Sequence, residues 1–251
     1  MKTTTGLEHP RVYLLDELRG IWLILMIVYH ALYDLVYLFD IPVPGFTGPA
    51  FRVFQRIIVG GFILLSGLVS RYSRSSLRRG LLVLVCGMVL TVTTSFAMPT
   101  QVIYFGVLHF MGTAMILFGL LRPLLDRVKP SLGAVLSLLL FAFTWRLPSG
   151  TVGFGEAFSV SLPTLLYQTP FLFPLGFPND AFFSADYVPI LPWFFFFLAG
   201  SYLSIFLQKG KMPGFFYKPR LPLLSKIGSK TIWIYMIHQP VIYGLLWIFL
   251  H

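Results

Sequence analysis

Long apolar stretches alternate with short polar segments along most of this chain. A helix needs about 20 apolar residues to cross the ~30 Å hydrocarbon core of a bilayer, and several stretches approach or exceed that length. The alternating strands of roughly ten residues that build a membrane β-barrel do not occur. The pattern therefore predicts an all-α polytopic membrane bundle of about seven helices, forming one domain over residues 1–251. The predicted crossings are 19–39, 51–70, 80–97, 102–121, 131–147, 188–207 and 229–250.

Composition and charge agree with a membrane protein. The 251 residues are 57% hydrophobic and 11% charged, which excludes an ordinary soluble domain. The net charge of +10 is spread over the loops between apolar stretches, so it predicts no nucleic-acid partner. Of the 19 Lys and Arg residues, all except Arg52, Arg56 and Arg146 fall on the side of the N-terminus. The positive-inside rule then predicts a cytoplasmic N-terminus and an extracytoplasmic C-terminus.

The first apolar stretch carries ionisable residues on a single helical stripe. Arg19 and His30 are eleven positions apart, which at about 100° per residue returns to within about 20° of the same face. Asp34 lies one turn beyond His30. Because an Arg or Asp near the bilayer centre costs roughly 2.5 to 3.5 kcal/mol, the stripe predicts a function. His30 can take a proton from a hydroxyl or amine nucleophile, with Asp34 orienting the ring, so both are predicted catalytic residues.

Two further histidines fall inside predicted helices. His109 lies in FGVLHFMG of the fourth helix and His238 in IYMIHQPV of the seventh. Each is either a hydrogen-bonding residue between helices or a member of a substrate site, and the sequence leaves both interpretations open.

Arginines are concentrated between the second and third helices. Arg71, Arg74, Arg78 and Arg79 are explained either as a positive-inside anchor or as a phosphate clamp, since guanidinium groups suit phosphate oxygens. Arg52 and Arg56 break the charge rule in the outer half of the second helix. We therefore favour pairing of Arg52 and Arg56 with Asp34, Asp40 or an anionic substrate over snorkelling, and Arg56 is taken as a substrate-side candidate.

Residues 148–187 are apolar but contain several prolines. A full crossing there would place the later basic loop outside, so the charge rule favours a re-entrant or lumen-covering outer segment. Asp186 at its end is interpreted as a helix cap or as a group on the substrate side of a site.

Five segments in sequence resemble a known family: ELRGIWLILMIVYHALYDL, GGFILLSGLVSRYSRSSLRRG, YFGVLHFMG, DYVPILPW and IGSKTIWIYMIHQPV. In this order and spacing they resemble the bacterial relatives of the heparan-α-glucosaminide N-acetyltransferase catalytic domain. The first two also resemble the acyltransferase-3 membrane family, which has an arginine and a histidine in its first helix, then an SG motif followed by arginines. The matching positions here are Arg19, His30, Ser66, Gly67, Arg78 and Arg79.

The resemblance implies a multi-pass acyltransferase of a prokaryotic plasma (inner) membrane. It implies transfer of an acyl group, expected to be acetyl, from cytoplasmic acyl-CoA to a hydroxyl or amine of a cell-envelope carbohydrate, without a metal. Arg19 and the cluster Arg71, Arg74, Arg78 and Arg79 would hold the CoA phosphates, and His30 would act as general base or nucleophile. Covalent acyl-histidine and direct transfer both stay open, as does a homo-oligomer. The candidates on the substrate side are Arg56, His109, Asp186 and His238.

Two other functions compete with this one. A proton-coupled transporter of an envelope precursor would use His30 and Asp34 as proton relays, but the sequence has no paired inverted repeats. A non-catalytic subunit or sensor is the third interpretation.

Overall fold

The computed structural model describes residues 12–73, 75–208 and 213–250, and these are mostly helical. Within these ranges, seven helices are long and apolar enough to cross a membrane, which confirms the predicted all-α polytopic bundle. Two short helices and one hairpin lie in the connections. The helices are α1 (Tyr13–Tyr37), α2 (Pro49–Ser70), α3 (Ser76–Ala97), α4 (Val107–Leu125), α5 (Pro130–Thr144), α6 (Leu165–Gln168), α7 (Ile190–Gln208), α8 (Pro222–Ser229) and α9 (Thr231–Leu250), and the hairpin strands are β1 (Thr151–Phe154) and β2 (Phe158–Ser161).

Each predicted crossing overlaps one long helix, and the largest difference in bounds is at the start of α1. This helix begins at Tyr13 rather than at 19, because the polar side chains of its first turns find partners. Glu17 is buried and accepts the backbone N–H groups of Arg220, at 2.7 Å, and Leu221, at 2.8 Å. A buried carboxylate with two donors is satisfied, so it does not interrupt the helix.

Between α7 and α9 the chain forms one more helix, α8. The helix begins at Pro222, where the missing N–H of proline has no helical partner to lose. Glu17 holds the backbone that leads into it. The chain divides into two compact units, and these are Met1–Phe62 with Ile205–His251, and Ile63–Ser204.

In the first unit, α1 packs against both α8 and α9. Small residues allow the close approach. A Cβ atom on Gly20 would collide with the backbone of Leu224, and one on Gly228 would collide with the backbone of Asp16. The backbones of α1 and α8 are therefore in direct contact, and this contact fixes the start of α1 against α8.

In the second unit, α3 packs along α4, and α2 contacts α7. A Cβ atom on Gly67 would collide with the carbonyl of Phe197, and one on Gly200 would collide with the carbonyl of Leu64. The SG motif of α2 is therefore a close-packing position. Phe110, Phe118 and Phe197 are fully buried and form the centre of this unit.

Residues 148–187 form no long helix. They contain the β1–β2 hairpin, in which Phe154 pairs with Phe158 and Thr151 with Ser161, then the single turn of α6 and a 3-10 turn at Phe173–Leu175. Prolines and glycines interrupt any longer regular element here. The membrane orientation and the covering role of this segment stay predictions.

Candidate active site

Four polar side chains meet between α1 and α9 in the first unit. The imidazole centroids of His30 and His238 are 4.7 Å apart, with the ring planes close to perpendicular. The amide Nε2 of Gln239 donates to Oδ1 of Asp34 at 2.5 Å. His30 and Asp34 lie one turn apart on α1, and His238 and Gln239 are consecutive on α9. We call His30, Asp34, His238 and Gln239 the α1–α9 cluster.

Backbone carbonyls orient both imidazoles of the cluster. Nδ1 of His30 donates to the carbonyl of Met26 at 2.9 Å, and Nδ1 of His238 donates to the carbonyl of Tyr235 at 2.6 Å. A carbonyl oxygen can only accept, so in each neutral ring the proton is assigned to Nδ1. The lone pair of each ring is then on Nε2, the atom that a base or a nucleophile uses.

The cluster contains buried polar atoms whose hydrogen-bonding capacity is not used. Asp34 has an exposed fraction of 0% and His238 one of 8%. Across the described ranges, Oδ2 of Asp34, Nε2 of His238 and Oε1 of Gln239 are buried and have no hydrogen-bond partner. Native proteins satisfy nearly all such atoms, so three together indicate a place where a polar ligand or water belongs. All three are acceptors in the assigned states, and they therefore suit a donor such as a hydroxyl, an amine or water.

Arg19 lies on α1 with His30, about 16 Å along the helix axis from it. Its Nη1 donates to Oδ1 of Asp16 at 2.9 Å, and both side chains are partly exposed.

Arg71 is engaged inside the second unit. Its Nε donates to the carbonyl and hydroxyl oxygens of Ser201 at 2.9 and 3.1 Å, and its Nη1 donates to Oδ1 of Asp126 at 2.5 Å. The guanidinium also lies over the rings of Phe118 and Tyr202, at 5.5 and 5.7 Å. These contacts hold Arg71 inside the unit, while its Nη2 is buried and has no hydrogen-bond partner within the described ranges.

Two other arginines of the cluster predicted between the second and third helices are at the beginning of α3. Arg78 and Arg79 are exposed in the first turn of the helix, and the hydroxyl of Ser75 accepts the N–H of Arg78 at 3.3 Å. Arg74 lies outside the described residues. Arg56 is exposed on α2, in the other unit.

His109 is buried with a hydrogen bond at each ring nitrogen. The N–H of Gly106 donates to Nδ1 at 3.3 Å, and Nε2 lies 3.1 Å from the hydroxyl of Thr91. Nδ1 must therefore accept, which assigns the proton to Nε2, and the Thr91 hydroxyl in turn donates to the carbonyl of Ile103 at 2.5 Å. This chain of hydrogen bonds joins α3 to the start of α4.

Asp186 is at the same helix start. Its Oδ2 accepts the N–H of Val107, the first residue of α4, at 2.8 Å. A carboxylate at this position satisfies a free donor and interacts favourably with the helix dipole. The cap belongs to α4 rather than to the helix that follows Asp186 in sequence.

Sequence reasoning did not select Gln239, Glu17 or Asp126. Gln239 had a usable signal, since it adjoins His238 inside an apolar helix, where a polar pair is unusual. The partners of Glu17 and Asp126 are set by tertiary contacts that leave no trace in local spacing. Within the described ranges, no group of three or more His, Cys, Asp or Glu side chains is arranged to hold a metal ion.

The fold and the site define a multi-pass helical membrane protein with a buried imidazole and carboxylate cluster suited to acid–base or nucleophilic chemistry. The family model described as heparan-alpha-glucosaminide N-acetyltransferase, catalytic, matches residues 11–240, and the chain belongs to this family. The match covers the whole α1–α9 cluster, and it gives the protein a transmembrane acetyltransferase-type function. Searches of curated proteins and of solved structures returned no match.

Proposed function

We propose that the protein transfers an acyl group, acetyl in the first instance, from cytoplasmic acyl-CoA to a hydroxyl or amine of a cell-envelope carbohydrate. The proposal places it in a prokaryotic plasma membrane. The observation that carries it is the α1–α9 cluster, in which two Nε2 lone pairs and a buried carboxylate share one site inside the region that the family match covers.

The reaction needs a base at the point where the acceptor attacks the thioester. Nε2 of His30 takes the proton of the acceptor hydroxyl or amine. At the same time the oxygen or nitrogen of the acceptor bonds to the carbonyl carbon of the thioester. The C–S bond then breaks, and the imidazolium returns the proton to the departing thiolate. In a covalent route, Nε2 of His30 would instead bond to the acyl carbon as the C–S bond breaks and CoA leaves as the thiolate. The acceptor would then attack that carbon, the Nε2–C bond would break, and the proton of the acceptor would pass to the thiolate.

Asp34 lies one turn from His30, and its negative charge stabilises the imidazolium that forms there, while the Nδ1–H of His30 stays on the carbonyl of Met26. Gln239 holds that carboxylate through its 2.5 Å hydrogen bond and is a positioning residue. His238 presents the second Nε2 lone pair to the same site and can relay a proton to or from His30. A donor of the substrate would give a partner to the three acceptor atoms that have none within the described residues.

The donor carries phosphates, which call for cations. Arg19, Arg78 and Arg79 are assigned to them by the positions they share with the acyltransferase-3 pattern, and their side chains are partly or fully exposed. Arg74 stays with this group by its sequence position. In this proposal Arg71 has a mainly structural role, and so do His109 and Asp186, whose contacts are internal. Arg56 stays a candidate for the acceptor side.

The decisive experiment measures CoA release and label transfer from [14C]acetyl-CoA in proteoliposomes, with glucosamine and an envelope lipid extract as probe acceptors. Wild-type protein should consume the thioester, and His30→Ala should lose about 10²- to 10⁴-fold in rate while still binding CoA. Lys129→Ala, in an exposed loop, is the matched control with unchanged activity. A wild-type protein that leaves the thioester intact, or a fully active His30→Ala variant, would overturn the proposal.

Single-turnover reactions with and without acceptor separate the two routes. Label retained on wild-type protein after rapid denaturation at neutral pH without acceptor, and absent in His30→Ala, supports the covalent route, since an acyl-imidazole hydrolyses rapidly in acid. A wild-type protein that takes up no label without acceptor, but passes label to product once acceptor is added, supports direct transfer.

A further inference from the structure

The β1–β2 hairpin has one apolar face and one polar face. In its register Val152 pairs with Val160 and Phe154 with Phe158, so these four side chains share a face. The opposite face carries Thr151, Gly153, Ser159 and Ser161. A two-stranded hairpin with such a face is not expected to be stable in water by itself, since it needs a surface that buries the apolar side.

The protein leaves that apolar face largely uncovered. The exposed fraction is 79% for Phe158, 65% for Val160 and 51% for Phe154. An exposed cluster of large apolar side chains on one face marks an interaction surface.

The surroundings of the hairpin indicate what covers this face. Phe154 contacts Phe143 of α5, with ring centroids 5.5 Å apart, and Phe143 is itself exposed near the end of a membrane-crossing helix. The exposed side of α5 continues with Leu139, Leu136 and Leu132. The apolar face of the hairpin therefore extends the surface that α5 presents to lipid.

The backbone limits how deep the hairpin can lie. In the part of the chain that the structure describes, its two outer edges have no strand neighbours, and unpaired N–H and C=O groups are not tolerated in the hydrocarbon core. At the tip, Glu156 is exposed and pairs with Arg146 at 3.5 Å, so this end lies among polar groups. A position at the boundary between head groups and acyl chains satisfies both the apolar face and the polar edges.

We propose that the hairpin is an interfacial membrane anchor, with Phe154, Phe158 and Val160 inserted among the lipid acyl chains beside α5. The proposal does not depend on the transferase chemistry. It also means that this part of 148–187 is directed to lipid rather than serving as a lid.

The test uses nitroxide labels in lipid nanodiscs on a Cys86→Ala background. Single cysteines are introduced as Phe158→Cys and Ser159→Cys, adjacent residues on opposite faces of β2, with Val160→Cys as a second apolar-face site. Collision with oxygen, which concentrates in lipid, and with a water-soluble nickel chelate is measured by electron paramagnetic resonance. We expect oxygen to dominate at 158 and 160, and nickel to dominate at 159.

Two results would overturn the anchor. Equal nickel accessibility at 158, 159 and 160 would mean that the apolar face is in water. Protection of 158 and 160 from both reagents would mean that protein, such as a second copy of the chain, covers the face instead of lipid.

Discussion

Two buried histidines in this protein, His238 and His109, have opposite hydrogen-bonding states. His109 uses both ring nitrogens, one with Gly106 and one with Thr91, and its neighbours are satisfied in turn. His238 uses only Nδ1, and its Nε2 is buried without a partner in the described part of the chain. The same residue type at similar burial therefore has a structural role where its hydrogen bonds are complete and forms a candidate site where they are not.

The charged groups differ less than the two histidines do. Arg71 donates to Ser201 and Asp126 and lies over two aromatic rings, yet its Nη2 is buried without a partner in the described residues. Asp34 has one amide donor and an oxygen without any partner in the same residues. Completeness of hydrogen bonding therefore separates the two histidines but not these two charged groups.

Of the replacements that test this comparison, that of His238 is expected to have the largest effect. His238→Ala removes the second Nε2 from the α1–α9 cluster, and we expect kcat for acyl transfer to fall about 10²-fold, with the thermal unfolding temperature little changed. Radiolabel transfer and differential scanning fluorimetry in the same detergent preparation measure both. A large loss of unfolding temperature with normal kcat would give His238 the structural role now assigned to His109.

His109 should respond in the opposite way. His109→Ala removes two internal hydrogen bonds, and we expect the free energy of unfolding to fall by about 1 to 3 kcal/mol with kcat per folded molecule nearly unchanged. Thr91→Val removes both the partner of Nε2 and the hydrogen bond to the carbonyl of Ile103, so it should destabilise by a similar amount. A stable but inactive His109→Ala variant would return His109 to the acceptor side of the site.

Gln239 tests whether positioning of Asp34 matters. Gln239→Ala removes the donor to Oδ1, and we expect kcat to fall about 10-fold, or 1.4 kcal/mol, while KM for acyl-CoA is unchanged. Gln239→Glu keeps the size but loses the donor amide, so it should be no better than the alanine variant. An unchanged kcat in both variants would remove Gln239 from the mechanism.

The smallest expected effect concerns the exposed arginines of α3. Arg78→Ala with Arg79→Ala should raise KM for acyl-CoA about 3- to 10-fold, since exposed ionic contacts contribute modestly. Arg127→Ala with Lys129→Ala removes the same charge from another exposed loop and should leave KM unchanged. Equal KM values for the two double variants would leave Arg78 and Arg79 as topological anchors only.

The crossings could be predicted from sequence because apolar stretches of membrane length leave few alternatives. The helical stripe of Arg19, His30 and Asp34 could be predicted for the same reason, because α1 is continuous over all three residues. The start of α1 and the existence of α8 could not be predicted from the sequence. Both depend on the contact between Glu17 and the N–H groups of Arg220 and Leu221, which are about 200 residues away.

The site could be predicted only in part. Local periodicity relates His30 to Asp34, but nothing local brings His238 to His30 or Gln239 to Asp34. The difference between His109 and His238 depends on which atoms surround each ring in the folded protein. The amphipathic hairpin was hidden because prolines and phenylalanines in that segment did not produce a long alternating pattern.

The hydrogen bond between Asp34 and Gln239 joins residues 205 positions apart. During synthesis, α1 enters the membrane long before α9 leaves the ribosome, so the Asp34 carboxylate must wait in the translocation machinery or at the lipid boundary without its amide. The carboxylate gains its amide donor only when α9, the last described helix, arrives. A nascent chain stalled before α9 would therefore keep an Asp34 carboxylate without that donor in its first helix, which membrane quality control could detect.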